Sequence, residues 1–193
     1  MTATDGSHEM IAHARVRSDN HADAVIYKVL DAADPDQIMA LGKETFETAI
    51  SNMTVMDMAV ITPMFKAVYQ VLKPGECFVF SQTHPCFQAP YAVKYAEQAD
   101  LYGEIIKKYG IKIDQYLTPT PFEGLGIVGQ PVAQYYFHRP ISTLLSACVQ
   151  AGFVLDGMEE RAFDDEAEGR HPFSWRNFKE RPPVLAVRLR RVA

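Results

Sequence analysis

Between Phe46 and Phe87 the chain changes hydrophobic period twice. Thr48-Ala49-Ile50-Ser51-Asn52-Met53 is a short apolar run closing on a polar residue, the mark of a buried strand. Val60, Ile61, Met64, Phe65, Val68 and Leu72 then recur at helical spacing and predict one apolar helix face. Lys73-Pro74-Gly75 is a helix stop, and Cys77-Phe78-Val79-Phe80 is a second buried-strand run leading into Gln82-Thr83-His84-Pro85. Two strands joined by a helix imply a parallel pair in an α/β sheet. Ligands of such sheets gather at the carboxyl ends of the strands, which is where Asn52 and His84 fall.

The flanking pattern extends this alternation. Ser7 is placed to cap a helix running to Arg17, with Met10, Ile11 and Ala14 inward. Ala24 to Leu30 reads as a strand and Pro35 to Leu41 as a short helix. Residues 88–137 break the alternation and hold Tyr91, Tyr95, Tyr102, Tyr109, Tyr116, Tyr135 and Tyr136 of the nine tyrosines. Within them, Ala96 to Tyr109 is expected to be helical and Thr118 to Pro131 loop. A helix follows from Pro140 to Ala151, turning Ile141, Leu144, Leu145, Cys148 and Val149 inward and ending at Gly152. Phe153 to Met158 and Val184 to Arg190 are the last strands, separated by a loop whose Asp164-Asp165-Glu166 run is expected to be solvated. Arg188, Arg190 and Arg191 mark the solvent face of the final strand. With no repeat and no dividing linker, residues 1–193 read as one domain in which 88–137 form a substrate or lid insertion.

Composition narrows the class. With 48% hydrophobic and 22% charged residues, 193 residues can bury one substantial core. A net charge of −5 gives no general attraction to nucleic acid or an anionic membrane, so neither is expected as a partner. No run approaches a membrane span, and the first residues lack the basic start and apolar stretch of a secretory signal. Cys77, Cys86 and Cys148, odd in number and widely spaced, favour reduced thiols and a cytoplasmic setting. His8 and His13 are one residue too far apart for the zinc pattern H-E-x-x-H, and no metal is called for.

Several blocks together resemble a class I methyltransferase of the small-molecule type, dependent on S-adenosylmethionine. They are Ala49 to Met53, Met56-Asp57, Val71 to Gly75, and Phe78 to Ser81 with Thr83 to Phe87. Others are Asp5-Gly6-Ser7 with Met10-Ile11, Val29 to Ala32, Tyr136 to Pro140 with Ser142-Thr143, and Ala151-Gly152-Phe153. The resemblance implies a Rossmann-like, mostly parallel sheet with an antiparallel last strand. It also shows what is missing: the family's first strand and its glycine-rich loop, which sit mid-sheet, have no counterpart ahead of Asp5. The expectation is a chain shortened at its N-terminus, with two central strands left unpaired. Gly124, Gly126 and Gly129 do not substitute, because they lack strand-to-helix context.

The resemblance implies a small-molecule methyl acceptor, S-adenosylmethionine as cofactor, and site residues. Asp5 and Gly6 would meet the ribose, where the plain reading of Asp5 is a helix-capping carboxylate. Asp31 and Ala32 would meet the adenine, where Asp31 also reads as a turn residue; Met10 would pack on the adenine or in the core. Asn52 and Met53 would lie beside the methionyl group. Transfer from a sulfonium works largely by alignment and water exclusion, and the tyrosine-rich segment suits both. His84 and His138 are the candidate bases, with Tyr136 beside them as a third catalytic candidate. Arg139 reads equally as an anion-binding residue or a fold cap. A homodimer is compatible with the sequence. The competing reading, from a different class, is a non-catalytic binding module or remnant that has lost the cofactor.

Overall fold

Helix α3 (Thr62–Val71) buries Met64, Phe65, Ala67, Val68 and Val71, and its Phe65 is the centre of the interior. The Phe65 ring lies 5.9 Å from that of Phe78 and 5.6 Å from that of Phe80, the alternate inward residues of strand β4 (Leu72–Thr83). Aromatic packing at these spacings adds to the burial of their area. The computed structural model describes residues 1–18, 23–126, 129–163 and 169–193, and the Asp164–Glu166 run lies outside them.

Strand β3 (Phe46–Asn52) pairs in parallel with β4, so β3–α3–β4 is the predicted crossover. The helix ends at Val71, and the chain enters β4 without a break. Pro74-Gly75 forms an irregularity there, which shifts the register from Phe46↔Leu72 to Thr48↔Cys77. Strand β10 (Val184–Arg191) runs antiparallel between β4 and β9 (Phe153–Arg161), giving the order β3-β4-β10-β9. Leu185, Val187 and Leu189 of β10 point inward by the two-residue period. Helix α4 (Ile141–Gln150) adds Leu144, Ala147 and Cys148 to the same core. Its Val149 is exposed, as are Val60 before α3 and Met10 on the first helix, all three contrary to the inward faces expected of them. One buried row per helix suffices here: Met10 and Val149 fall off it, and Val60 lies before the helix begins.

A second, two-stranded sheet pairs β1 (Thr2–Asp5) with β2 (Ile26–Val29) in parallel, a shorter second strand than the sequence suggests. Ser7 caps α1 (His8–Arg17), its hydroxyl accepting the Met10 N–H at 3.2 Å. Asp34 caps α2 (Pro35–Met39), whose Ile38 joins Leu30 in the core beside Val55 and Phe65. Among the described residues no ladder joins β1 to β3, so the strands fall into separate sheets there. Ile50, mid-way along β3, is accordingly 76% exposed.

The middle segment corrects two expectations. Ala96 to Tyr109 is not a helix but the hairpin β5 (Val93–Leu101) and β6 (Glu104–Lys112). Its alanines, glutamates and lysines favour helix locally, yet Tyr102 and Gly103 both adopt positive φ, the requirement of a two-residue hairpin turn. The base of the hairpin is held by Lys94, whose ammonium lies 3.6 Å over the Trp175 ring and donates to the Phe173 carbonyl at 3.2 Å. The expected loop 118–131 contains strand β7 (Thr120–Gly124), which pairs with β8 (Gln134–His138).

The final basic residues divide unlike the expected solvent face. Arg188 and Arg190 reach Asp156 at 2.8 and 2.6 Å, and the Arg190 hydrogen bond holds that carboxyl below its usual range. Arg191 is buried, donating to the Tyr69 carbonyl at 3.1 Å, to Leu72 and to the Glu44 carboxylate at 2.8 Å. It thereby satisfies carbonyls left open at the end of α3.

Two predictions follow from this packing. Phe65→Ala should destabilise the fold by roughly 3–5 kcal/mol and the exposed Val60→Ala by under about 0.5 kcal/mol, measured by denaturant unfolding. Burial pushes the Cys148 thiol up to about 12. In a thiol titration with Ellman's reagent, Cys77 and Cys86 should therefore react in the native protein and Cys148 only on unfolding.

Candidate active site

Polar side chains collect at the carboxyl ends of the parallel strands. Asp5 ends β1; its Oδ1 accepts the Ser7 N–H at 2.8 Å, and Oδ2 has no hydrogen bond among the described residues. Asp31 follows β2, with Oδ1 accepting the Ala33 N–H at 2.8 Å and its own N–H donating to Gln37 Oε1 at 3.0 Å. The β1–β2 register places these two ends side by side, since the Leu30 N–H donates to the Asp5 carbonyl at 2.9 Å. Gly6 leaves the approach open: a Cβ there would meet nothing closer than the Leu30 carbonyl at 3.9 Å. Ala32 is half-buried against the core, while the exposed Met10 is available to an external ligand.

Asn52 ends β3 opposite Ser81 of β4, and the Ser81 hydroxyl donates to Asn52 Oδ1 at 2.6 Å. This fixes the amide and leaves its NH₂ outward. Met53 next to it has φ +55°, a left-handed conformation held by its N–H bond to the Ser81 carbonyl at 2.9 Å. Such conformations in non-glycine residues cost free energy and cluster at functional sites.

Beyond the end of β4 lies a cleft lined by Met56, Gln82, Thr83, Pro85, Gln88, Phe122, Tyr136, Phe137, His138 and Arg139. Its cavity volume is only about 20 Å³, so it is a narrow slot. Strands β7 and β8 supply the aromatic wall, where the Phe122 and Tyr136 rings are 5.5 Å apart. Gly124 and Gly126 accommodate that wall, because a Cβ on them would lie 3.2 and 2.8 Å from the Tyr136 side chain. Tyr136 Oη also accepts from Gln134 Nε2 at 2.6 Å.

The two histidines are held differently. His84, 1% exposed, bonds Glu160 Oε1 through Nε2 at 2.6 Å, and its Nδ1 accepts the Cys86 N–H at 3.2 Å. An accepting Nδ1 puts the proton on Nε2, so both nitrogens are engaged and the imidazole pins the turn that forms one wall of the slot. His138 lines the slot itself; its Nε2 lies 2.7 Å from the Tyr116 carbonyl, which can only accept. Nε2 therefore carries the proton and Nδ1 a lone pair, with no hydrogen bond to Nδ1 among the described residues. Burial pushes the Tyr116 phenol up, and its oxygen accepts the Ile141 N–H at 2.8 Å.

Arg139 resolves as a cap. Its guanidinium donates to the carbonyls of Val55, Phe137, Met58 and Ala59, tying β8 to the one-turn helix Val55–Asp57 after β3, and burial lowers its pKa. Arg139→Met should destabilise the protein by roughly 1–3 kcal/mol in denaturant unfolding, since four carbonyls lose a half-buried donor.

Sequence reasoning missed Gln82, Glu160 and Tyr116. Only Gln82 had a signal: it continues the inward series Phe78, Phe80 and should have been apolar.

Residues 1–80 match the family described as "Methyltransferase domain". An S-adenosylmethionine-dependent methyltransferase from Mesorhizobium loti is similar in structure at 24% identity, with TM-score 0.70 over 98% of this chain and 79% of that one. A protein from Listeria monocytogenes, described as a candidate of the same kind, shares 19% identity and TM-score 0.72 over 100% and 80%. The glycopeptide N-methyltransferase MtfA, solved with S-adenosylhomocysteine, shares 15% identity and TM-score 0.60 over 98% and 73%. No curated protein matches the sequence. The chain has the class I methyltransferase fold, an α/β sheet of mixed parallel and antiparallel strands.

Proposed function

We propose that this protein transfers a methyl group from S-adenosylmethionine to a small-molecule acceptor. The observation that carries the reading is the sequence of strand ends: Asp5, Asp31 and Asn52 end or follow β1, β2 and β3, and the slot opens at the end of β4. The donor set fits the nucleoside half of the cofactor. Asp5 Oδ2 is available to ribose hydroxyls, the Asp31–Ala32 turn to the adenine edge, Met10 to its face, and the Asn52–Met53 turn to the methionyl end. The cofactor, when bound, supplies an electrophilic methyl group on a sulfonium.

His138 is the base of this proposal, because its Nδ1 lone pair is uncommitted at the slot. His84 positions the slot wall through Glu160, and Tyr136 supplies an aromatic face and a phenol. Residues 88–137 act as the lid in this reading, since their strands β7 and β8 form one wall of the slot. Aromatic faces also favour a sulfonium electrostatically.

Calorimetric titration with S-adenosylhomocysteine tests the reading. Binding in the micromolar range is expected, Asp5→Ala should weaken it by roughly 1–3 kcal/mol, and His138→Ala should leave it unchanged. No binding by a chain that still unfolds cooperatively would favour the non-catalytic module.

A further inference from the structure

Gln82 is 5% exposed, lines the slot, and its side-chain amide makes no hydrogen bond among the described residues. It occupies an inward position of β4 that Phe78 and Phe80 fill with apolar rings. The amide is not sealed off, since Arg191 Nε is the one buried side-chain polar atom without a partner among the described residues; it is open to the slot and free to pair with a ligand there. His138, 6% exposed, presents a second uncommitted polar atom, Nδ1, to the same slot. Among the described residues the lining carries no carboxylate and no lysine, and its one cation, Arg139, spends its guanidinium on four carbonyls.

We propose that the slot receives the polar edge of a neutral, planar acceptor whose ring stays at the open mouth, with Gln82 as the residue that selects it. The reacting O–H or N–H donates to His138 Nδ1, and a second polar atom of the acceptor pairs with the Gln82 amide, while the ring edge lies along Phe122 and Tyr136. A charged acceptor finds no counter-ion there. A polar site also rejects a molecule that leaves its own buried groups unpaired. Resting on the methyltransferase reading, the step balances. The acceptor heteroatom forms the bond to the methyl carbon and its proton passes to His138. The carbon–sulfur bond pair stays on sulfur, so sulfonium plus imidazole become thioether plus imidazolium.

The test is cofactor-independent binding of three probes to the full chain: 4-nitrophenol held below its pKa, 4-nitrobenzoate and 4-nitrobenzylamine. The neutral phenol should bind at least about tenfold more tightly than either ion, and Gln82→Leu should lose about tenfold for the phenol alone. Gln82→Glu should turn the preference toward the ammonium probe, an inversion that a merely structural glutamine would not give. Equal binding of the benzoate, no binding of the phenol, or a phenol affinity unmoved in both Gln82 variants would overturn the proposal. Titration of the same samples with S-adenosylhomocysteine separates the two readings, since its failure strikes the donor site and leaves the slot result standing.

Discussion

Phe65 seated between Phe78 and Phe80 is the contact on which the other features depend. A parallel strand pair has no local turn to set its register, so the connecting helix must do it by packing. The aromatic wedge fixes β3 against β4 such that Asn52 faces Ser81, and the irregularity at Pro74-Gly75 absorbs the offset nearer the start of the strands. Arg191 then closes the carbonyl end of α3, and Arg139 closes the turn that follows β3. A half-buried guanidinium, Arg139, and a buried one, Arg191, thus pin the two ends of one crossover through backbone carbonyls. Their burial is tolerable because the carbonyls they meet would otherwise lack donors.

The same packing explains how a divided sheet stays together. With no ladder between β1 and β3 in the described residues, the small sheet is attached through Leu30 and Ile38, which enter the core beside Val55 and Phe65. Hydrophobic burial is non-directional and can bridge such a division, whereas a sheet edge demands a backbone partner. The strand ends bearing Asp5 and Asp31 are therefore placed by side-chain packing. Asn52 and Gln82 are placed by backbone pairing.

Much of this was legible in the chain. The crossover, the Ser7 cap, the last helix and the antiparallel final strand follow from periodicity and capping chemistry that tertiary packing reinforces. The β5–β6 hairpin was hidden, because its residues favour helix individually and only Tyr102-Gly103 betrays the turn. The structure also separates His84 from His138, which spacing treats alike. Which ring nitrogen is free depends on Glu160, the Cys86 amide and the Tyr116 carbonyl, and Glu160 and Tyr116 are remote in sequence from the histidines they bind. Arg191 looked like one more surface charge because its partners at Tyr69, Leu72 and Glu44 lie more than a hundred residues away.

The most direct measurement is amide hydrogen exchange of the full chain with and without S-adenosylhomocysteine. If the donor site lies at these strand ends, protection appears at three separated segments, Asp5 to Ser7, Asp31 to Ala33 and Asn52 to Met53, with the β5–β6 hairpin unchanged. Protection confined to another region, or none at ligand concentrations that saturate a methyltransferase donor site, would contradict that placement.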